Sequence, residues 1–297
     1  MIVAPWVWQL SIGLITLVIL GDLIYQIRKP HEPTFKESAI QSVIYIGLAL
    51  LFTFLVTEVW GARFGGEYLA GFITEKSLSV DNLFVFLVIF TKFAVPRRLQ
   101  SQALLIGIVL ALILRGIFIA VGAAALAAFS FTFVIFGAIL IWTGVGLFKH
   151  WDEDPSPEDN ALVKVIRKRI AMTDAFDGSK IFTKVNGKKL ATPMFLVMIA
   201  IATTDLLFAL DSIPATFGVT QEPFLVFAAN AFALLGLRAL YFLLKGLLDK
   251  LVYLSLGLSV ILMFIGVKLI MTYVHEIWYE VPKIPTLVSL AVIALIL

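Results

Sequence analysis

Eight apolar runs of about 20 residues each constrain what this chain can fold into. That length is what an α-helix needs to cross the hydrocarbon core of a bilayer, where every backbone polar group must bond within its own helix. Only 14% of the 297 residues are charged, against about 25% in soluble domains. These features predict an all-α, multi-pass membrane protein. The runs cover residues 6–25, 40–59, 68–90, 104–125, 131–148, 193–213, 224–244 and 251–273.

A ninth apolar run begins at residue 285 and stops at residue 297. Its about 12 residues form about 18 Å of helix, which is too short to cross a bilayer. We expect this run to be either re-entrant or the start of a longer helix. The expected total is therefore about nine transmembrane helices.

The positions of basic residues predict how the helices are oriented. Lys and Arg follow the first, third, fifth and seventh runs and are scarce in the alternate connections. Because cytoplasmic loops are enriched in Lys and Arg, we predict that the amino terminus lies outside the cytoplasm and that the loop at 151–192 is cytoplasmic. On this interpretation the net charge of +3 reflects topology rather than a nucleic-acid partner, and the absence of cysteine excludes thiolate metal sites.

The loop at 151–192 has three parts of different composition. Residues 152–160 are acidic and contain two prolines, which favours an irregular segment. Residues 162–172 predict a short basic amphipathic helix. Residues 180–190 predict a β-hairpin, because Asn186-Gly187 lies between alternating apolar and polar residues. This hairpin is the only β structure that we predict.

Two sets of three helices resemble each other in the same order. L-R-G at 114–116 corresponds to L-R-A at 237–239, and each third helix ends in a G-x-x-K or G-x-K pattern. A unit with three spans must enter the membrane from the opposite side when it is repeated, so these sets predict an inverted repeat with a substrate site at the repeat interface. The predicted divisions are 1–66 for two preceding helices, 67–150 and 193–275 for the repeats, 151–192 for the loop and 276–297 for the last segment.

Two polar motifs interrupt the apolar runs with the same spacing: an acid, five residues, an aspartate, and then an amide or hydroxyl. They are E-K-S-L-S-V-D-N at 75–82 and D-L-L-F-A-L-D-S at 205–212. A charge near the centre of a spanning helix costs about 2.5–3.5 kcal/mol, so it indicates function. The candidate cation ligands are Glu75, Asp81, Asn82, Asp205, Asp211 and Ser212.

Helical geometry predicts which of these side chains share a face. Residues seven apart lie on one face, which pairs Glu75 with Asn82 and Asp205 with Ser212, while the second aspartate of each motif lies about 120° away. We expect a local helix break at Pro214, which lacks a backbone N–H, to gather the spread ligands.

Oxygen ligands of these kinds suit Mn²⁺, Ca²⁺ or Mg²⁺ better than zinc or copper. A structural alternative is that Asp81 and Asp211 form buried ion pairs that only hold helices together. The candidate partners, which would also compensate charge in an empty site, are Arg115, Arg238 and Lys76. Asp22 lies near a predicted helix end, where we expect it to reach the headgroups.

The motifs at 75–82 and 208–215, together with L-G-L-R-A-L-Y-F-L-L at 235–244 and the Asn-Gly hairpin, resemble the signature stretches of the TerC (tellurite-resistance C) family, which includes the Alx-type proteins. The resemblance implies an inner-membrane protein related to LysE-type exporters that exports Mn²⁺ through intramembrane acids, with tellurite resistance as an indirect outcome. One position departs from the family pattern: Ala202 stands where members usually carry Glu. That change would weaken divalent-ion affinity or alter selectivity or the coupling ion.

The leading hypothesis is a secondary exporter of Mn²⁺, not an enzyme and without a prosthetic group. Asp81 and Asp211 would be central ligands, Glu75 and Asp205 flanking ligands or proton acceptors, and H⁺ or Na⁺ the counter-ion. The lipid bilayer is the expected environment, and an oligomer is compatible with the sequence. The alternatives are a membrane scaffold for tellurite or envelope stress that acts through residues 152–190, and an intramembrane aspartyl hydrolase, for which no protease motif is visible.

Overall fold

The computed structural model describes residues 1, 3–28, 33–149, 163, 166, 169–185, 187–244, 254–278, 281–282 and 284–296. The side chains of some helical residues, Asp81 among them, lie outside that description. The strands β1 (Phe182–Val185) and β2 (Lys188–Ala191) separate two groups of helices. In chain order the helices are α1 (Pro5–Arg28), α2 (Phe35–Trp60), α3 (Ala62–Lys92), α4 (Arg97–Ala128), α5 (Thr132–Lys149), α6 (Pro193–Val219), α7 (Pro223–Leu235), α8 (Leu237–Leu244), α9 (Leu254–Ile277) and α10 (Thr286–Ile296).

The structure confirms a multi-pass helical membrane protein. Within the described ranges, 7 helical segments are both long and apolar enough to cross a bilayer, with α7 and α8 together forming one of them. The helix α3 is also long enough, at 31 residues, but the charged motif at 75–82 interrupts its apolar character. The expected total of about nine transmembrane helices remains a prediction.

The seventh apolar run is divided at Gly236, although the sequence predicted one continuous helix over 224–244. Gly236 has φ −87° and ψ 0° and separates α7 from α8. The last backbone carbonyls of α7 have no partner within the helix. Lys76 Nζ donates a hydrogen bond to one of them, the carbonyl oxygen of Ala233, at 3.3 Å. A Cβ at Gly236 would lie 2.9 Å from Lys76 Nζ. The missing side chain therefore leaves room for the ammonium group that caps α7.

The helix α6 continues through Pro214, so the expected break at that residue is wrong. Proline removes one backbone hydrogen bond, but every residue from Ser212 to Val219 is buried. Packing on all sides holds this part of the chain in the helical path. The side chains of α6 therefore keep the spread that a continuous helix imposes.

Four helices surround a common interior. The helix α3 packs on α7 and α6, and α4 packs on α6 and α7. In the predicted inverted repeat, α3 corresponds to α6 and α4 corresponds to α7. The contact between α3 and α7 therefore has its counterpart in the contact between α6 and α4. The contact pattern agrees with the repeat, which remains a prediction. Outside this group, α5 lies along α9 over an extensive contact.

The predicted hairpin is confirmed. Strands β1 and β2 pair in antiparallel register from Phe182 opposite Ala191 to Val185 opposite Lys188. The turn contains Gly187 with φ +77°, a left-handed conformation that glycine adopts without strain; Asn186 lies outside the described residues.

A short network closes the base of the hairpin. Asp177 accepts hydrogen bonds from the Thr183 hydroxyl at 2.7 Å and the Lys180 ammonium at 3.0 Å. These two donors lower the pKa of the Asp177 carboxyl. The acidic segment 152–160 lies outside the described residues, as do residues 162, 164, 165, 167 and 168 of the predicted helix 162–172. Met172 forms a bridge with Ala191, so that helix does not extend to its predicted end.

Glycine contacts allow a test of the α5–α9 packing. A Cβ at Gly266 would lie 2.7 Å from the Gly137 carbonyl oxygen, whereas nothing lies within 4 Å of a Cβ at Gly146. We expect Gly266→Ala to lower the melting temperature of the detergent-purified protein by several degrees, because two backbones must separate. Gly146→Ala should leave it unchanged or raise it slightly, since alanine favours the helix by about 1 kcal/mol. Equal melting temperatures for the two variants would contradict this packing.

Candidate cation site

The Arg115 side chain is buried near the middle of α4 and contacts two carboxylates. Its Nε and Nη2 donate to the two carboxylate oxygens of Asp205 at 3.2 and 3.0 Å, and Nη1 donates to Oε1 of Glu75. Both acids are as inaccessible as the arginine, at 0% exposure for Glu75 and 1% for Asp205. One guanidinium therefore joins α3, α4 and α6, which belong to both predicted repeats.

Neutral oxygens complete the surroundings of the guanidinium. Arg115 Nη1 lies 3.3 Å from both Ser212 Oγ and Asn230 Oδ1. The Asn82 carboxamide satisfies both of its groups when its oxygen accepts from Arg115 Nη2 at 3.2 Å and its nitrogen donates to a backbone carbonyl one turn earlier. The side chains around Arg115 thus present carboxylate, amide and hydroxyl oxygens, which are the ligand types of hard divalent cations.

The helical periodicity explains why these particular residues meet. Glu75 and Asn82 are seven residues apart on α3, and so are Asp205 and Ser212 on α6. Each pair projects from one face of its helix, and both faces point at Arg115. The predicted pairing of positions is confirmed.

The second aspartate of each motif lies further along its helix than the acid that contacts Arg115. Asp211 is partly exposed and faces α5, where the Thr143 hydroxyl donates to Asp211 Oδ1 at 2.9 Å. It lies six residues from Asp205, or about 9 Å along the helix. Asp81 lies the same distance from Glu75 on α3, and its side chain is outside the description. The central position that the sequence assigned to Asp211 is thus held by Asp205.

Asp81 and Asp211 lie toward opposite ends of the interior. The helices α3 and α6 are antiparallel, because Glu67, eight residues before Glu75, accepts from the hydroxyl of Thr220, which follows Asp205 in the chain, at 2.8 Å. Moving forward along α3 therefore leads to the end of the interior opposite the one reached by moving forward along α6. The acids form a series with Asp81 on one side of Arg115 and Asp211 on the other.

The other two predicted charge-compensating residues bind elsewhere. Arg238 Nη2 donates to Asp22 at 2.8 Å and to Gln41 at 3.2 Å, and its Nη1 donates to Ser101 at 3.2 Å. Asp22 therefore has a buried partner instead of reaching the headgroups. Lys76 caps α7 as described above. Among the three basic residues, Arg115 is the one that contacts the motif acids in the described part of the chain.

Sequence reasoning missed two contributors to the site. Asn230 is 1% exposed within the otherwise apolar α7. A single amide in an apolar run was the sequence feature that could have identified it as part of the site. The hydroxyl of Thr216, buried one turn after Ser212, lies 3.4 Å from Glu75 Oε2. A threonine in an apolar run bonds its own backbone in many helices, as this one does with the Ser212 carbonyl, so its second contact had no sequence signal.

The site has a defined charge balance. Two carboxylates and one guanidinium give a formal charge of −1 in a region without solvent exposure. Among the described residues, no three acidic or histidine side chains form a group that could hold a metal ion.

The helices and this charged interior define a polytopic α-helical membrane protein with a buried polar centre. The chain belongs to the integral membrane protein TerC family, whose family model matches residues 60–297. The resemblance seen in the motifs is thereby confirmed. No solved structure matches the chain with statistical significance.

Curated relatives resemble the chain over most of its length. A protein named "Uncharacterized membrane protein" from Mycobacterium tuberculosis (strain H37Rv) is 46% identical, with 91% of this chain and 69% of the relative covered. A membrane protein of Myxococcus xanthus is 43% identical over 98% and 89% of the two chains. Escherichia coli (strain K12) has a relative named "Putative membrane-bound redox modulator Alx", 39% identical over 97% and 91%.

The charge balance of the site can be tested by thermal unfolding. Breaking a buried ion pair by removing one partner costs about 3–5 kcal/mol, so Arg115→Gln should lower the melting temperature strongly because it leaves two unpaired carboxylates. Adding Glu75→Gln to that variant removes one of the two charges and should recover part of the loss. A double variant no more stable than Arg115→Gln alone would show that the charges are not what stabilises the interior.

Proposed function

We propose that the chain is a secondary transporter that exports a divalent cation, with Mn²⁺ as its preferred substrate, from the cytoplasm of a bacterial cell. The membrane is the inner membrane, the amino terminus lies outside and the 151–192 loop lies in the cytoplasm. The observation that carries the proposal is the convergence of Glu75 and Asp205 from two helices in the buried interior. Burying two acids is costly, and packing alone would be served by small residues.

The ligand types support a hard or borderline cation. Glu75 and Asp205 offer carboxylate oxygens, and Ser212, Asn82 and Asn230 offer neutral oxygens within the same group. Mn²⁺, Ca²⁺ and Mg²⁺ all accept such ligands, and the sequence contains no cysteine that would favour softer metals. Preference for Mn²⁺ among these three rests on the family resemblance.

The order of the acids supports a route across the interior. In this proposal Asp81 receives the cation at the end of the interior toward which α3 runs. The central pair, Glu75 and Asp205, then binds the cation, and Asp211 with Thr143 accepts it on the other side. Steps of about 9 Å between these positions match movement between neighbouring binding positions rather than one rigid cage. Alternating access between the two three-helix units would expose the central pair to one side at a time.

Transport needs a way to stabilise the acids after the cation has left. A proton or Na⁺ could neutralise the remaining negative charge, because Arg115 compensates only one of the two carboxylates and an uncompensated carboxylate is unfavourable in a dry site. We propose H⁺ or Na⁺ as the counter-ion on this ground. The name of the Escherichia coli relative refers to redox modulation; with no cysteine among the 297 residues, a redox effect of this chain would follow from metal transport rather than thiol exchange.

The proposal predicts which substitutions stop transport. In liposomes that contain a dye quenched by Mn²⁺, Asp205→Asn and Glu75→Gln should reduce Mn²⁺ flux at least tenfold, because each removes one carboxylate of the central pair. Asp81→Asn and Asp211→Asn should also reduce flux, by removing positions on either side. Ca²⁺ and Mg²⁺ added as competitors rank the substrates.

Asp177→Asn is the matched control, since it replaces an acid outside the helices that is exposed and bonded within the hairpin. Its flux should equal that of the unchanged protein. Unchanged flux in Asp205→Asn would contradict the proposed site. A protein that carries no Mn²⁺ under either a proton or a Na⁺ gradient would contradict the transport function and favour the scaffold hypothesis, which predicts that deletion within residues 152–190 is the change that removes function.

A further inference from the structure

The side chains that would bind a cation already bind one, the guanidinium of Arg115. Its three nitrogens contact Asp205, Glu75, Ser212 and Asn230, and the Asn82 carboxamide adds a fifth partner. These partners come from α3, α6 and α7, while Arg115 comes from α4. The acids and neutral oxygens therefore surround the arginine as ligands surround an ion.

Arg238 shows that such convergence is not simply what a buried arginine requires. It holds the corresponding position in the second predicted repeat and has one acid, Asp22, and two neutral partners. None of those partners belongs to the two acidic motifs. The arrangement around Arg115 is therefore specific to the first repeat and to the proposed cation site.

We propose that Arg115 is a tethered substitute for the transported cation. Its guanidinium occupies the site when no metal is bound and must be displaced when metal binds. This inference rests on the proposed function and adds to it a residue that sets the mode of transport. Glu75 and Asp205 are used by the guanidinium or by the metal, but not by both at full contact. The arginine thus competes with the metal at equilibrium.

The contacts of Arg115 with the two acids also determine whether the metal-free carrier can change its orientation back to the cytoplasm. Without Arg115 the empty site carries two buried carboxylates, and each uncompensated ion in the interior costs several kcal/mol. The guanidinium removes one charge and satisfies the oxygens by hydrogen bonds. Arg115 therefore permits the metal-free carrier, with the counter-ion neutralising the one remaining charge, to change its orientation, which net export needs. Exchange of one metal ion for another does not need that step, because the site is loaded in both directions.

The test compares net Mn²⁺ flux, Mn²⁺/Mn²⁺ exchange and equilibrium Mn²⁺ binding in Arg115→Gln. Net flux into metal-free buffer should fall at least tenfold relative to exchange measured with radioactive Mn²⁺ in the same liposomes. Equilibrium binding of Mn²⁺ to the detergent-purified variant should become at least tenfold tighter, because the competitor is gone. A structural defect would weaken binding and lower both fluxes together.

Two further variants complete the experiment. Arg115→Lys keeps one positive charge but loses the forked geometry, so its binding and its ratio of net flux to exchange should lie between those of the unchanged protein and Arg115→Gln. This variant also carries the test if Arg115→Gln does not fold, as judged by size-exclusion chromatography. Arg238→Gln is the control for loss of a buried arginine; it should change neither the ratio nor the Mn²⁺ affinity.

The outcomes separate this inference from the proposed function. If the unchanged protein moves Mn²⁺ but Arg115→Gln and Arg115→Lys lose net flux and exchange in the same proportion, or bind Mn²⁺ no more tightly, the arginine is not a substitute cation and only this inference fails. If the unchanged protein shows neither flux nor exchange, the proposed transport function fails first.

Discussion

The interior of this protein depends on the hydrogen-bonded ion pairs that Arg115 forms with Glu75 and Asp205. Charges in a membrane interior are stable only when partners satisfy them, and here all three groups are inaccessible to solvent. The arginine therefore links α3, α4 and α6 through their buried polar side chains. The interior can therefore exist in two states, because any cation that satisfies the two acids can replace the guanidinium.

The surrounding structure provides a frame in which that exchange can occur. Close contacts between Gly137 and Gly266 hold α5 against α9, outside the charged interior. The division at Gly236 and the cap supplied by Lys76 lie within the helix that contributes Asn230. The Lys76 ammonium satisfies the Ala233 carbonyl at that division. The closely packed α5–α9 pair and the divided helix are thus separate parts of the fold.

Periodicity in the sequence predicted the features that depend on one helix at a time. The apolar runs gave the spanning helices, Asn186-Gly187 gave the hairpin, and the spacing of seven residues placed Glu75 with Asn82 and Asp205 with Ser212. What periodicity does not contain is the neighbour that each face meets. For that reason Asp211 was predicted at the centre, although it contacts Thr143 on α5, and the pair formed by Arg238 and Asp22, 216 residues apart, was not foreseen.

Backbone irregularities were also outside the reach of the sequence. A proline predicts a break more strongly than a glycine, yet α6 continues through Pro214 and the chain divides at Gly236. Both positions are buried, but they differ in what the neighbours do: packing on every side keeps the residues after Pro214 helical, whereas the missing side chain of Gly236 leaves space that Lys76 occupies. These effects arise from tertiary contacts that no local pattern records.

Displacement of Arg115 by metal can be seen in a cryo-electron microscopy structure of the protein in lipid nanodiscs saturated with Mn²⁺. We expect density for an ion between the Glu75 and Asp205 carboxylates, with the Arg115 guanidinium withdrawn from both. An ion bound elsewhere while Arg115 keeps its contacts with the two acids would contradict this expectation.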